Sequence, residues 1–466
     1  MTPVHAFSDD ALGHHDAVGL TEELINGAVT IPEVVEAAIA RTEEVNERLN
    51  AVAYADFDGA RERAADPRGG FFAGVPTFLK DNVDVEGMPT MQGGDAWQPA
   101  PRAADGDFAR MYLATGLVPL GKSQLSEFGF SASAEHPRLG PVRSPWSPDH
   151  TAGASSAGSA ALVAAGAVPI AHANDGGGSI RIPASVNGLV GLKPTRGRLA
   201  QDALTRQMPV QIVSDGVLTR SVRDTAAFYR EAEHVYRNLR LPPMGDVAGP
   251  ARTRLRIAVV TEGIGRSATP EVADLTMTTA ALLEDLGHEV RMIENPLPDA
   301  FKSDFLLYWS MLALAMVRGG RRTFGRTWDG GQLDNLTQGL AAHSARRLHR
   351  LPGAITRLRR MTGFSREFYA DHDVLLTPTL ATETPVIGHL APTQDYDTIM
   401  ERMLDWVAFT PWQNATGDPA ISLPLATTAS GLPQGMMLAS GWGRETTLLE
   451  LALELEEASP WARIDA

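Results

Sequence analysis

The sequence predicts one large α/β domain, and three observations carry that expectation. The chain has 466 residues, room for two to four domains or one large unit at roughly 100–200 residues per domain. Segments 255–260 (LRIAVV), 270–286 and 288–293 read as strand, helix and strand, a succession that favours a crossover and a partly parallel sheet. No internal repeat or low-complexity linker divides 1–466 into modules. A helical insertion is expected somewhere within 222–369.

In chain order, Thr30-Ile31-Pro32-Glu33 has capping-box spacing, which opens a helix. Val34, Val35, Ala38, Ile39, Thr42, Val45 and Leu49 recur at helical intervals, so the helix runs to about Arg48. Glycine and proline thicken across 68–194. The helix at 270–286 starts on Pro270 and stops at Gly287. In the Arg-rich stretch 346–360, Leu348, Leu351, Ile355 and Leu358 fall near helical spacing, predicting a buried stripe under a solvated basic face. Short apolar runs at 374–376 and 420–425 sit beside Pro and Thr as sheet strands do. The Leu-rich tail 445–458 reads as a helix on the outside of the sheet.

Composition excludes several classes. Hydrophobic residues make up 44% and charged residues 21%, which suits a globular enzyme and not a disordered chain. The net charge of −15 argues against nucleic acid or an anionic membrane as partner. With no cysteine, disulfides, thiol nucleophiles and Cys-ligated metals are excluded. The N-terminal stretch lacks the basic and apolar regions of a secretion signal, and the weakly polar run 158–173 is shorter than a membrane span. A soluble, cytoplasmic enzyme is expected, with a homodimer as the candidate assembly.

Two motifs tempt and fail. Gly116 to Ser123 (GLVPLGKS) matches the phosphate-binding loop pattern by letters, but its interior is apolar and Pro119 has no N–H to offer phosphate. The segment reads instead as a strand leading into a loop. His14 and His15 are adjacent and cannot share a helix face, and no HExxH occurs, so no metal site is expected. The G-x-S-x-G elbow of serine hydrolases is also missing.

Two serine-bearing segments remain: Gly153-Ala154-Ser155-Ser156-Ala157-Gly158-Ser159, and 174–185 (NDGGGSIRIPAS). Three glycines before a serine let the backbone approach a ligand and leave N–H groups unshielded, as an oxyanion hole requires. The glycines alone fit a tight turn without catalytic task equally well.

The wider sequence resembles the amidase signature family over nearly its whole length, most strongly across 74–198. Gly74-Val75-Pro76-Thr77-Phe78-Leu79-Lys80-Asp81-Asn82 resembles that family's catalytic-lysine motif, and 121–128 (GKSQLSEF) its G-K-S/T…E-F segment. The stretch 174–198 resembles the signature itself, and 376–379, 414–420 and 431–435 resemble later family segments. The resemblance implies a single domain with a central mixed twisted sheet covered by helices. It implies an amidase that uses a serine nucleophile, Ser179, a bridging serine, Ser155, held by a cis peptide, and a buried base, Lys80. Asp175 and Arg181 would hold the loop, and the N–H groups of Gly176, Gly177, Gly178 and Ser179 would form the oxyanion hole. No metal or organic cofactor is implied. Departures from the family pattern, Ala154 and Ala157 for glycine among them, remove no functional group.

A serine hydroxyl needs a base, and lysine is one only when neutral, a state that burial and nearby positive charge promote. Lys193 and Arg181 are the expected sources of that charge. The substrate would be a small-molecule amide. The string AHANDGGGS at 171–179 looks most like stand-alone bacterial amidases near the hydrolases that open cyclic nylon-oligomer dimers. Phe130 falls where relatives place a substrate-channel side chain, although a core phenylalanine fits as well. The alternatives are the A subunit of glutamyl-tRNA amidotransferase, which frees ammonia from glutamine for a partner, and a non-catalytic amide-binding protein.

Overall fold

The computed structural model describes residues 2–465. Three strands, β1 (Val52–Ala55), β2 (Pro76–Lys80) and β3 (Val118–Ser123), form a small sheet in the order β1-β3-β2. The phosphate-loop look-alike is thus strand β3. Its Lys122 is fully buried, donating to Val83 O at 2.6 Å and reaching Asp81 Oδ1 at 3.4 Å.

A mixed eight-stranded sheet forms the centre. Its strands in chain order are β4 (Ile170–Asp175), β5 (Val190–Lys193), β6 (Ser214–Thr219), β7 (Arg256–Val259), β8 (Glu289–Met292), β9 (Val374–Pro378), β10 (Ala420–Thr427) and β11 (Pro433–Ser440). The spatial order is β8-β7-β9-β11-β10-β5-β6-β4. The two pairings β8–β7 and β7–β9 are parallel, and the other five are antiparallel. The parallel pair β7–β8 is joined through the helix Pro270–Asp285, the crossover that the sequence predicts.

The capping box closes as its spacing requires: Thr30 Oγ1 accepts the Glu33 N–H at 3.4 Å, and Glu33 Oε2 accepts the Thr30 N–H at 2.8 Å. The helix that follows, Ile31–Leu49, buries Val34, Val35, Ala38, Ile39, Thr42, Val45 and Leu49. The terminal helix Glu445–Ala458 lays Leu448, Leu449, Leu451 and Leu455 into the core against the sheet. Between β8 and β9 the chain passes through helices Phe301–Phe324, Asn335–Ala345 and Leu351–Asp371. One expected stripe residue departs. Leu358 is buried, but Leu348 is 40% exposed, because it lies in a separate 3-10 turn, Leu348–Arg350, and not on the helix.

The packing of β2 against β4 positions the site. Thr77 Oγ1 donates to Ile170 O at 2.9 Å, and the Lys80 N–H donates to His172 Nδ1 at 3.2 Å. The end of β2, Lys80, therefore lies beside the end of β4, where the glycine loop begins. Helix Ala157–Ala164 closes the same region, and a Cβ on Gly158 would lie 2.4 Å from Ala51 O. Only glycine permits that approach.

Candidate active site

The loop leaving β4 is wound around one carboxylate. Asp175 Oδ1 accepts the Gly178 N–H at 2.7 Å and Asp175 Oδ2 the Ile180 N–H at 3.2 Å. Arg181 grips the same group with two bonds of 2.9 Å, and Asn414 Nδ2 adds a third donor at 2.8 Å. Burial by itself would raise the Asp175 pKa. Arg181 and Asn414 outweigh it and hold the carboxyl at about 2. An ionised carboxylate thereby holds the loop rigid, since turn, ion pair and side-chain amide share its two oxygens. Arg181 completes its fork on Gln413 Oε1 and Asn414 Oδ1, at 3.0 and 2.7 Å.

Gly178 takes φ +137°, and a Cβ there would sit 2.4 Å from Thr410 Oγ1. This backbone turns Ser179 back toward the 153–159 loop, where its Oγ accepts the Ser155 N–H at 3.2 Å. The expected oxyanion set is thereby reduced. The Gly178 N–H is already committed to Asp175, whereas those of Gly176, Gly177 and Ser179 have no partner among the described residues.

Lys80 is fully buried, and its Nζ lies within reach of Ser155 Oγ (2.7 Å), Ser156 Oγ (2.9 Å) and Asn174 Oδ1 (2.6 Å). Ser156 Oγ itself donates to Asn174 O at 3.2 Å, which leaves its lone pairs for the amine. Asn174 is braced by Asn82, whose Oδ1 accepts from Asn174 Nδ2 at 3.0 Å. Burial, the largest influence, pushes the Lys80 pKa down to about 7 against the opposing pull of Asp215 and Asp175.

Two expectations are corrected here. Lys193 and Arg181 do not supply the charge that depresses Lys80. Burial is the one influence that lowers Lys80: the charge of Arg181 is offset by its ion pair with Asp175, and burial pushes Lys193 itself down to about 7. Nor is the peptide before Ser155 cis. Every peptide bond of the described residues is trans, the form favoured by about 3 kcal/mol without proline, and Ser155 reaches Lys80 in that form.

Sequence reasoning missed Ser156, Asn174, Asn82, His172 and Asp215. His172 is buried beneath Lys80. Because its Nδ1 accepts the Lys80 backbone N–H, Nε2 carries the proton and donates to Asp215 Oδ1 at 3.2 Å. A tandem Ser155-Ser156 and an asparagine beside the signature aspartate were signals in plain view, but only distance gives them a role.

A cleft opens onto Ser179 and Gly177. Its walls are apolar, with Phe130, Ile182, Trp309 and Met400 among them. Phe130 meets Trp309 edge-on at 5.6 Å between ring centroids, so it is both a packed side chain and part of the cleft wall. No group of three or more His, Asp or Glu that could hold a metal occurs among the described residues. No helix among them is long and apolar enough to cross a membrane.

With this geometry in place, comparison defines the class. The amidase family model matches residues 33–449, and the chain belongs to that family, whose members are hydrolases of carbon–nitrogen amide bonds. A Mycobacterium tuberculosis protein bearing the name "Putative amidase AmiC" is 63% identical over 100% of this chain and 99% of its own. The 6-aminohexanoate-cyclic-dimer hydrolase of Pseudomonas sp. is 33% identical over 96% and 95% of the two chains. A solved 6-aminohexanoate cyclic dimer hydrolase in complex with its substrate superposes with TM-score 0.86 over 98% of each chain, at 31% identity. The A subunit of glutamyl-tRNA(Gln) amidotransferase from Thermotoga maritima shares the fold, with TM-score 0.76 over 98% and 97% of the chains, at 24% identity.

Proposed function

We propose that this enzyme hydrolyses small-molecule amides by acyl transfer to Ser179, with Ser155 passing protons between Ser179 and Lys80. The observation that carries this reading is the set of bonds around Lys80 Nζ. A neutral amine has two N–H donors and one lone pair. Asn174 Oδ1 and Ser156 Oγ, neither with a proton to give it, take the donors. The lone pair then faces Ser155 Oγ, the one neighbour whose hydroxyl proton is uncommitted.

In the first step Ser179 Oγ attacks the amide carbon. Its proton moves to Ser155 Oγ as the Ser155 proton moves to Lys80 Nζ. The C=O electron pair becomes an oxyanion that the N–H groups of Gly176, Gly177 and Ser179 stabilise. Collapse breaks the C–N bond, and the proton returns along the same path to the departing nitrogen. Water then attacks the Ser179 ester by the same relay, releasing the acid and restoring the hydroxyl. The apolar cleft accepts the acyl arm, with Phe130 as one of its walls.

A fluorophosphonate, which phosphonylates an activated serine, tests this reading by intact mass and peptide mapping. A single adduct on Ser179, absent in Ser179→Ala, is expected. An adduct on Ser155 with Ser179→Ala still active would overturn it. The amidotransferase-subunit reading is weaker, since its likeness is one of fold. It requires activity on glutamine only when other subunits are added.

A further inference from the structure

We propose that Lys302 makes this enzyme selective for amides whose acyl arm ends in a carboxylate. The inference rests on the acyl-transfer reading above. Lys302 lines the cleft together with Phe305, Leu306 and Trp309, at the i, i+3, i+4 and i+7 positions of one face of helix Phe301–Phe324. It is the one charged side chain in that lining among the described residues.

Lys302 is half-buried and makes no hydrogen bond or ion pair among the described residues. Other cations nearby are occupied: Arg266 is paired with Asp405 and Arg357 with Asp304. A half-exposed ammonium without an anion beside it is free to pair with one brought by a ligand. The chain carries a net charge of −15, which repels anions in general, so a lone cation in the cleft gives local and specific attraction.

The helix also sets the length of the ligand. Trp309 covers the glycine loop, with its ring 3.1 Å from where a Cβ on Gly176 would be. Lys302 lies seven residues earlier on the same face, about 10 Å along the axis at ~1.5 Å per residue. A carbonyl held at the glycines and a carboxylate held at Lys302 would thus be joined by an extended apolar chain of that span. The chain is assigned as the acyl arm, because the cleft lining includes Ser179 and Gly177, whose N–H groups have no partner among the described residues and suit the acyl carbonyl oxygen.

The test compares two p-nitroanilides of equal chain length, the suberic acid monoanilide with a free carboxylate and the octanoic anilide with a methyl end. For each enzyme the quantity read is the ratio of kcat/KM on the anionic substrate to that on the neutral one. In Lys302→Met this ratio should fall at least about tenfold, equivalent to about 1.4 kcal/mol, chiefly through KM. Lys302→Arg should keep most of it, and added salt should lower the wild-type ratio. A succinic monoanilide, too short to span the cleft, should show no dependence on Lys302. A ratio that Lys302→Met leaves unchanged overturns the proposal. Binding to the Ser179→Ala chain by calorimetry separates it from the mechanism. Suberic monoanilide should bind there, and about tenfold more weakly when Lys302→Met is added. If that holds while the wild type cleaves neither anilide, the acyl-transfer reading fails and the carboxylate site stands. Equal binding of the two anilides, or none of the suberic one, rejects Lys302.

Discussion

Asn174 Oδ1 accepts from Lys80 Nζ at 2.6 Å, so the residue that leads into the glycine loop also orients the amine proposed as the base. The amide is itself oriented by Asn82, and both sit at the meeting of β2 and β4. Asn174→Asp keeps the shape and adds negative charge. A carboxylate at that distance favours the ammonium, so the acid limb of kcat/KM against pH should move up by roughly one unit or more. Asn174→Ala should lower kcat/KM about 10–100-fold. A pH profile of Asn174→Asp that coincides with wild type would show that Asn174 does not face a titrating amine.

The same limb in the wild type should lie at about pH 7, where burial has moved Lys80. Activity should fall about tenfold per pH unit below that point and level off above it, because only the neutral amine accepts the proton. Lys80→Met should abolish the limb along with nearly all activity, and Lys80→Arg should not rescue it, since guanidinium stays charged.

The depressed Lys80 pKa also bears on stability. Between about pH 7 and about 10 the unfolded chain holds a proton that the folded chain has released, so stability rises with pH across that window. Below it the folded state carries the full cost of a buried ammonium. Lys80→Met should therefore raise the urea midpoint, by more at about pH 6 than at about pH 9. An equal gain at both would mean that Lys80 is not neutral at neutral pH.

Asp175 follows the opposite sign. Its folded pKa of about 2 lies below the unfolded value, so its stabilisation is complete above the ordinary carboxylate range and is lost as pH falls toward 2. Asp175→Asn or Arg181→Ala leaves one buried partner uncompensated and should cost about 3–5 kcal/mol in urea unfolding. Arg181→Lys should recover little of it, because one ammonium cannot span both oxygens.

Gly178→Ala should lose activity beyond detection in an aryl-amide assay and destabilise the fold by about 1–3 kcal/mol, since alanine at φ +137° is strained and its methyl meets Thr410. Pairing it with Thr410→Ala should restore part of the stability but not the activity. Full recovery of activity in the pair would place the constraint in Thr410 and not in the backbone.

Local chemistry made much of this legible in the sequence. The helix Ile31–Leu49 follows from a capping box and a run of apolar residues, both read over a few positions. The crossover joining β7 and β8 follows from two short apolar runs around one helix-length segment. Lys80, Ser155 and Ser179 stand out by resemblance to the family's motifs, and the two serines also by the small residues around them. Leu348 departs from the predicted stripe because spacing does not distinguish a separate turn from a continuing helix.

The sequence by itself determined the residues proposed for proton transfer and the elements that carry them. The tertiary structure alone decided which of those groups are free to act. Lys80 meets Ser155, Ser156 and Asn174 only because β2 packs on β4, and its pKa follows from the solvent that this packing removes. The Gly178 N–H is withdrawn from the proposed oxyanion set because Asp175 reaches it, and Arg181 is held by Asp175 and Lys193 by Pro194 O. Protonation and hydrogen-bond commitment depend on distances between residues remote along the chain, and those distances exist only once the chain has folded.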